Sequence, residues 1–192
     1  MPRKRRILKH HILDAALELM REEEFDRFTA RKIAECLNAS TQPIYKEFKN
    51  MDDLKVNLTA YVQDKMDERI FKLEDEQLQI RDVCKNYILF SRNEGCLFAA
   101  LFMGREVNAS TLHEYIYEQL HLVLDRHGKA QGRSREEKDQ LLDILWPAVH
   151  GFAILTAQGK YELPDEELIE KINHIVDSSV EVWSQSLPEQ VN

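Results

Sequence analysis

An all-α fold is predicted by three features of the sequence. Apolar residues recur at three- and four-residue spacing along nearly the whole chain, cap-forming polar residues separate the periodic stretches, and no alternating run of useful length appears. With six Gly and five Pro in 192 residues, interruptions are few, and 43% hydrophobic content supplies a core. No internal repeat or low-complexity tract is evident.

The elements follow in order. Leu8, Ile12, Ala15, Ala16, Leu19 and Met20 share one face, which predicts a helix from about Ile7 to Glu23. Phe25 and Phe28 flank a polar break. Thr29 is then placed to cap a second helix that buries Ile33, Ala34 and Leu37, and Asn38 suits its left-handed end. Ser40 is expected to cap a short third helix. Pro43 lies in its first turn, where a missing N–H breaks no intrahelical bond. Asn50 caps a fourth, with Asp52 and Asp53 favoured by its dipole and Leu54, Leu58, Tyr61, Val62 and Met66 inward, fading near Leu73. Further helices are predicted over 79–92, 96–106, 109–127, 135–158 and 165–186.

The charge is divided unevenly. The net charge is −8, yet residues 1–60 hold 12 Lys and Arg against 10 Asp and Glu, while the remaining 132 hold 14 against 24. A basic start on an acidic body fits a head that binds a polyanion. The 31% charged content and the lack of an apolar run near the ~20 residues a membrane span needs predict a soluble chain with no membrane partner. The basic start runs into His10, His11 and Asp14, unlike a signal peptide. Cys36, Cys84 and Cys96 are odd in number and form no CxxC, so reduced thiols and a cytoplasmic setting are expected.

Thr29 to Phe48 has the layout of a DNA-reading helix-turn-helix: a positioning helix, a tight turn at Asn38-Ala39-Ser40, and a short helix held down by Ile44 and Phe48. Thr41, Gln42, Pro43, Tyr45 and Lys46 are left near or on the outer surface. Thr and Gln can bond base edges, Pro can touch a thymine methyl, and Tyr and Lys suit phosphates. Thr29 and Arg31 can grip a phosphate at the start of the preceding helix.

The run Ile12 to Leu54 resembles the DNA-binding domain of the tetracycline-repressor-like (TetR) regulators, including the Ile44-Tyr45-x-x-Phe48 signature of their recognition helix. The resemblance implies an N-terminal three-helix reading domain over 1–53 and a helical ligand-binding and dimerisation domain over 54–192. The sequence departs from the pattern at Glu24 (usually Gly), Glu47 (often His) and Met51 (usually Lys), with Lys49 and Lys55 as compensating cations and Ser40 beside the turn. The arm Arg3, Lys4, Arg5 and Arg6 then reads as a backbone or minor-groove contact.

In the body, Trp146-Pro147-Ala148-Val149-His150-Gly151 resembles the Trp-x-x-x-His-Gly pattern of one C-terminal subgroup of that family. In such relatives this helix lies between ligand cavity and dimer interface, which implies the same place here. Pro147 should kink it. Tyr87, Phe90, Phe98, Phe102, Met103, Tyr115, Trp146 and His150 are the candidate ligand contacts, each also fit to be ordinary core. Apolar stripes on the last two helices (Leu141 to Phe152, and Leu168 to Leu187) suit a homodimer joined by four helices.

No phosphate loop, nucleophile elbow or HExxH occurs, and the seven histidines are scattered, so no catalysis, cofactor or metal is expected. The expected activity is a ligand-responsive repressor that binds a palindromic operator on double-stranded DNA as a dimer, with a small-molecule effector. Glu47 and Met51 leave open a small-molecule-binding or protein-partner module with a weakened helix-turn-helix.

Overall fold

The computed structural model describes residues 6–22 and 28–187, which fall into two compact units. The described residues are helical and contain no strand. The helices are α1 (Lys9–Met20), α2 (Ala30–Cys36), α3 (Gln42–Glu47), α4 (Met51–Met66), α5 (Ile80–Asn93), α6 (Gly95–Phe102), α7 (Ala109–Leu124), α8 (Arg135–Ala157) and α9 (Asp165–Ser186), with a π-helical turn at Asp67–Phe71.

The first unit takes in the chain up to Lys65 and the separate stretch Cys96–Leu112. Here α1 buries Ile12, Leu13, Ala16, Leu19 and Met20 and packs on α2 and α3. Two polar ties fix α4 beside α1: the Lys9 ammonium donates to Asn57 Oδ1 at 2.6 Å, and the Tyr61 hydroxyl donates to Asp14 at 2.5 Å. Tyr61, expected inward, is therefore only partly buried, its hydroxyl turned to that carboxylate. Asn50 Oδ1 accepts from the Asp53 N–H at 2.8 Å, the predicted cap of α4.

In the second unit α5 packs on α8 and α9, α8 packs on α9, and α5 covers the π-helical turn. Ser134 and Glu137 form a reciprocal capping box that starts α8: each side chain accepts from the other's backbone N–H, at 3.2 and 2.9 Å. Fully buried Trp183 of α9 donates its indole N–H to the Glu137 carbonyl at 2.7 Å. His121 on α7 reaches Asp139 on α8 at 2.8 Å, and Lys138 pairs with Asp125. Cys84 is buried, which pushes its thiol up to about 12, while Cys36 and Cys96 are exposed.

Three expectations are corrected. The fourth helix does not fade evenly to Leu73: it widens into the π-helical turn, whose larger circumference lets both Ile70 and Phe71 point inward, and Lys72 at φ +43° ends it. The sixth helix stops at Phe102 rather than 106, because Gly104 folds so tightly that a Cβ there would lie 2.3 Å from the Ala100 carbonyl oxygen. And α8, at 23 residues, is by length and mean hydropathy apolar enough to cross a membrane, which a search for uninterrupted apolar runs overlooks. It is the central helix of the second unit, continuous through Pro147.

Candidate nucleic-acid interface

The reading element begins at Thr29, whose hydroxyl accepts from the Lys32 N–H at 3.3 Å and caps α2 as predicted. Ile33 and Ala34 anchor α2 in the core. Its far end closes on Asn38, which holds φ at +49°. Two backbone bonds complete this Schellman turn: the Asn38 N–H to the Glu35 carbonyl at 3.0 Å, and the Ala39 N–H to the Ala34 carbonyl at 2.9 Å. Two of the carbonyls that α2 would leave open, those of Ala34 and Glu35, are thereby satisfied, and the chain is turned into α3.

The cap of α3 is Thr41 rather than Ser40, and its side chain makes no capping bond. Thr41 has helical dihedrals, φ −73° and ψ −11°, and its carbonyl accepts from the Ile44 and Tyr45 N–H groups at 3.1 and 3.3 Å, so backbone bonds hold the first turn. Pro43 occupies the first turn without leaving an N–H unused. Ile44 is 1% exposed and Phe48 2%, whereas Tyr45 is 56% exposed. Gln42 and Lys46 are exposed and Thr41 and Pro43 partly so. One face of α3 is thus seated and the other presents an amide, an aromatic hydroxyl and an ammonium to solvent.

Around this face, Arg6, Asn38, Ser40, Gln42, Pro43, Tyr45 and Lys46 border one concavity. Arg31 is exposed and, among the described residues, bonds across one turn to Glu35 at 3.0 Å, an interaction weak enough to exchange for a phosphate. Lys49 is exposed, and its backbone N–H donates to Asp53. Glu47 is half-buried. Lys55 differs from the others: its ammonium lies 2.6 Å from the Glu106 carboxylate, with both side chains largely covered. Sequence reasoning missed Glu106, which lies far along the chain and carries no motif. The expected contacts Arg3, Lys4 and Arg5 lie outside the described residues.

The candidate ligand residues are divided between the units. Tyr87, Trp146 and His150 meet in the second: the Tyr87 hydroxyl is 2.8 Å from His150 Nδ1, and the Tyr87 and Trp146 rings are 4.8 Å apart. His113, not anticipated, stands edge-on to His150 at 5.0 Å. Burial, with His113 beside it, lowers the His150 pKa to about 4, and burial raises that of Tyr87, so the pair is neutral at pH 7. Trp146 is 3% exposed and its indole N–H has no acceptor among the described residues. Tyr115 instead bonds Asp67 and meets Phe71 edge-on, while Phe90 on α5 is half-buried. Phe98 and Phe102 pair at 4.8 Å in the first unit, where Met103 is 49% exposed.

Comparison with known proteins agrees with this geometry. Residues 12–56 match the family model of the bacterial regulatory proteins, tetR family. The fold is similar to the crystal structure of a TetR family transcription regulator from Marinobacter aquaeolei VT8, with a TM-score of 0.63 at 15% identity over 88% of this chain and 93% of that one. No curated protein sequence matches the chain.

Proposed function

We propose, from the premise that this chain is a DNA-binding transcriptional regulator with the tetR-family domain at residues 12–56, that it binds a palindromic operator as a homodimer and releases it in response to a small-molecule effector. The observation that carries the reading is the divided surface of α3, with Ile44 and Phe48 sealed and Gln42, Tyr45 and Lys46 outward. Side chains of that kind, on a short helix after a tight turn, bond base edges and phosphates in a major groove.

Support for the dimer comes from α8. Ile144, Pro147, Ala148 and Leu155 are exposed along one stripe, and Gly151, partly exposed, lies within it. A Cβ at Gly151 would meet nothing within 4 Å, so the single subunit gives no packing reason for glycine there. A second copy of the same helix gives one. On α9 the expected stripe is largely spent within the subunit, with Leu168, Ile172, Val176 and Trp183 buried, while Val182 is 54% exposed. Two such helices from each subunit make a self-complementary contact.

Support for the effector comes from the cluster around Tyr87, Trp146 and His150. A buried indole N–H without an acceptor is costly, and a ligand offering an acceptor with a flat apolar body would relieve it. A ligand that prefers the DNA-incompetent state by about 1–3 kcal/mol would lower operator affinity about 5- to 150-fold.

Chemical footprinting on a duplex enriched from a random library by the wild-type protein tests the reading. Two protected major-groove tracts are expected, centred about 34–36 Å apart or a multiple of that. A single tract, or diffuse protection, contradicts the symmetric operator.

A further inference from the structure

The contact between Lys55 and Glu106 lies wholly inside the first unit, yet its partners come from distant parts of the chain. Lys55 is on the second turn of α4, close in sequence to the exposed Lys46 and Lys49. Its side chain is 32% exposed and that of Glu106 is 22%, so water screens this pair less than it screens Arg31 and Glu35, at 86% and 53%. Glu106 Oε2 is shielded from solvent and sits 2.6 Å from the ammonium as an ion pair without hydrogen-bond geometry, and no hydrogen-bond donor satisfies this oxygen among the described residues.

The loop that presents Glu106 is fixed on both sides. Gly104 is pressed against the last turn of α6, where a Cβ would lie 2.3 Å from the Ala100 carbonyl oxygen, and Val107 is 4% exposed. Glu106 is therefore held by the path of its backbone and not by the chance of a long side chain. The stretch carrying it, 96–112, is preceded and followed along the chain by segments of the second unit. A change of state in that unit has a covalent route to this loop.

We propose that Glu106 is an internal stand-in for a DNA phosphate: in the state described it occupies Lys55, and its withdrawal adds a phosphate contact to each reading head. A carboxylate and a phosphate oxygen both neutralise an ammonium, so a phosphate that approaches Lys55 competes with Glu106 for its charge. Operator affinity is then set partly by a loop that touches no DNA. This inference rests on the DNA-binding reading of α3.

The test is operator binding by anisotropy, across salt concentrations, for the wild-type protein, Glu106→Gln, Lys55→Gln and the double variant. The probe is the duplex enriched by the wild-type protein, and thermal melting confirms that each variant folds. Glu106→Gln is expected to bind about two- to fivefold more tightly per head at low salt, the scale of one exposed ion pair. Its log affinity should fall with log salt more steeply, by about 0.9 per head. Both gains should vanish in the double variant. That background controls for the general benefit of removing one negative charge near DNA. Unchanged or weaker binding by a folded Glu106→Gln, or a gain that persists without Lys55, overturns the proposal while leaving the reading helix intact. Failure of the wild-type protein to enrich any duplex refutes the DNA-binding reading itself, and this one with it.

Discussion

His150 is neutral at pH 7 because burial, with His113 beside it, moves its pKa down to about 4. In the unfolded chain the imidazole returns to its ordinary value near 6.5. Between those values the unfolded state binds the proton and the folded state does not, so stability is fully present above about 6.5 and is lost as pH falls toward 4. Urea denaturation at stepped pH should show this decline, and His150→Gln should flatten it. An unchanged slope in that variant would move the proton uptake elsewhere. The residue type and its place on a helix were legible in the sequence. His113 was not anticipated, because the two rings meet through packing of distant segments that no spacing rule encodes.

At the scale of elements, local chemistry was the most legible. Thr29, Asn38 and Asn50 act within a few residues of themselves, and each does what its side chain suggests. Non-local choices were hidden. The π-helical turn follows from the need to bury both Ile70 and Phe71, and the early stop of α6 follows from a backbone contact at Gly104. Asn38 offers the sharpest element-level test, since its positive φ sets the angle between α2 and α3. Asn38→Val should destabilise the protein by about 1–2 kcal/mol, because a β-branched residue is strained in the left-handed region, while Asn38→Gly should be near neutral. Equal melting of the valine variant and the parent would show that this turn is not under the constraint described.

At the scale of the whole molecule, the sequence carried the all-α class and the helix order, because nearly every stretch is periodic. The proposed association between copies rests on fainter signs, an exposed stripe on α8 with an unexplained glycine at its centre. Gly151→Leu leaves the single subunit room for the new side chain, so a folded protein with a lower mass in sedimentation or light scattering is expected. A folded variant with unchanged mass would place the interface elsewhere.

The central claim is that the outer face of α3 reads DNA, and titration of an enriched duplex with a Tyr45→Ala, Lys46→Ala double variant tests it most directly. Both side chains are exposed, so the fold should survive by circular dichroism while affinity drops at least tenfold, two contacts of about 1 kcal/mol each having been removed. Wild-type affinity in that folded variant would contradict the account.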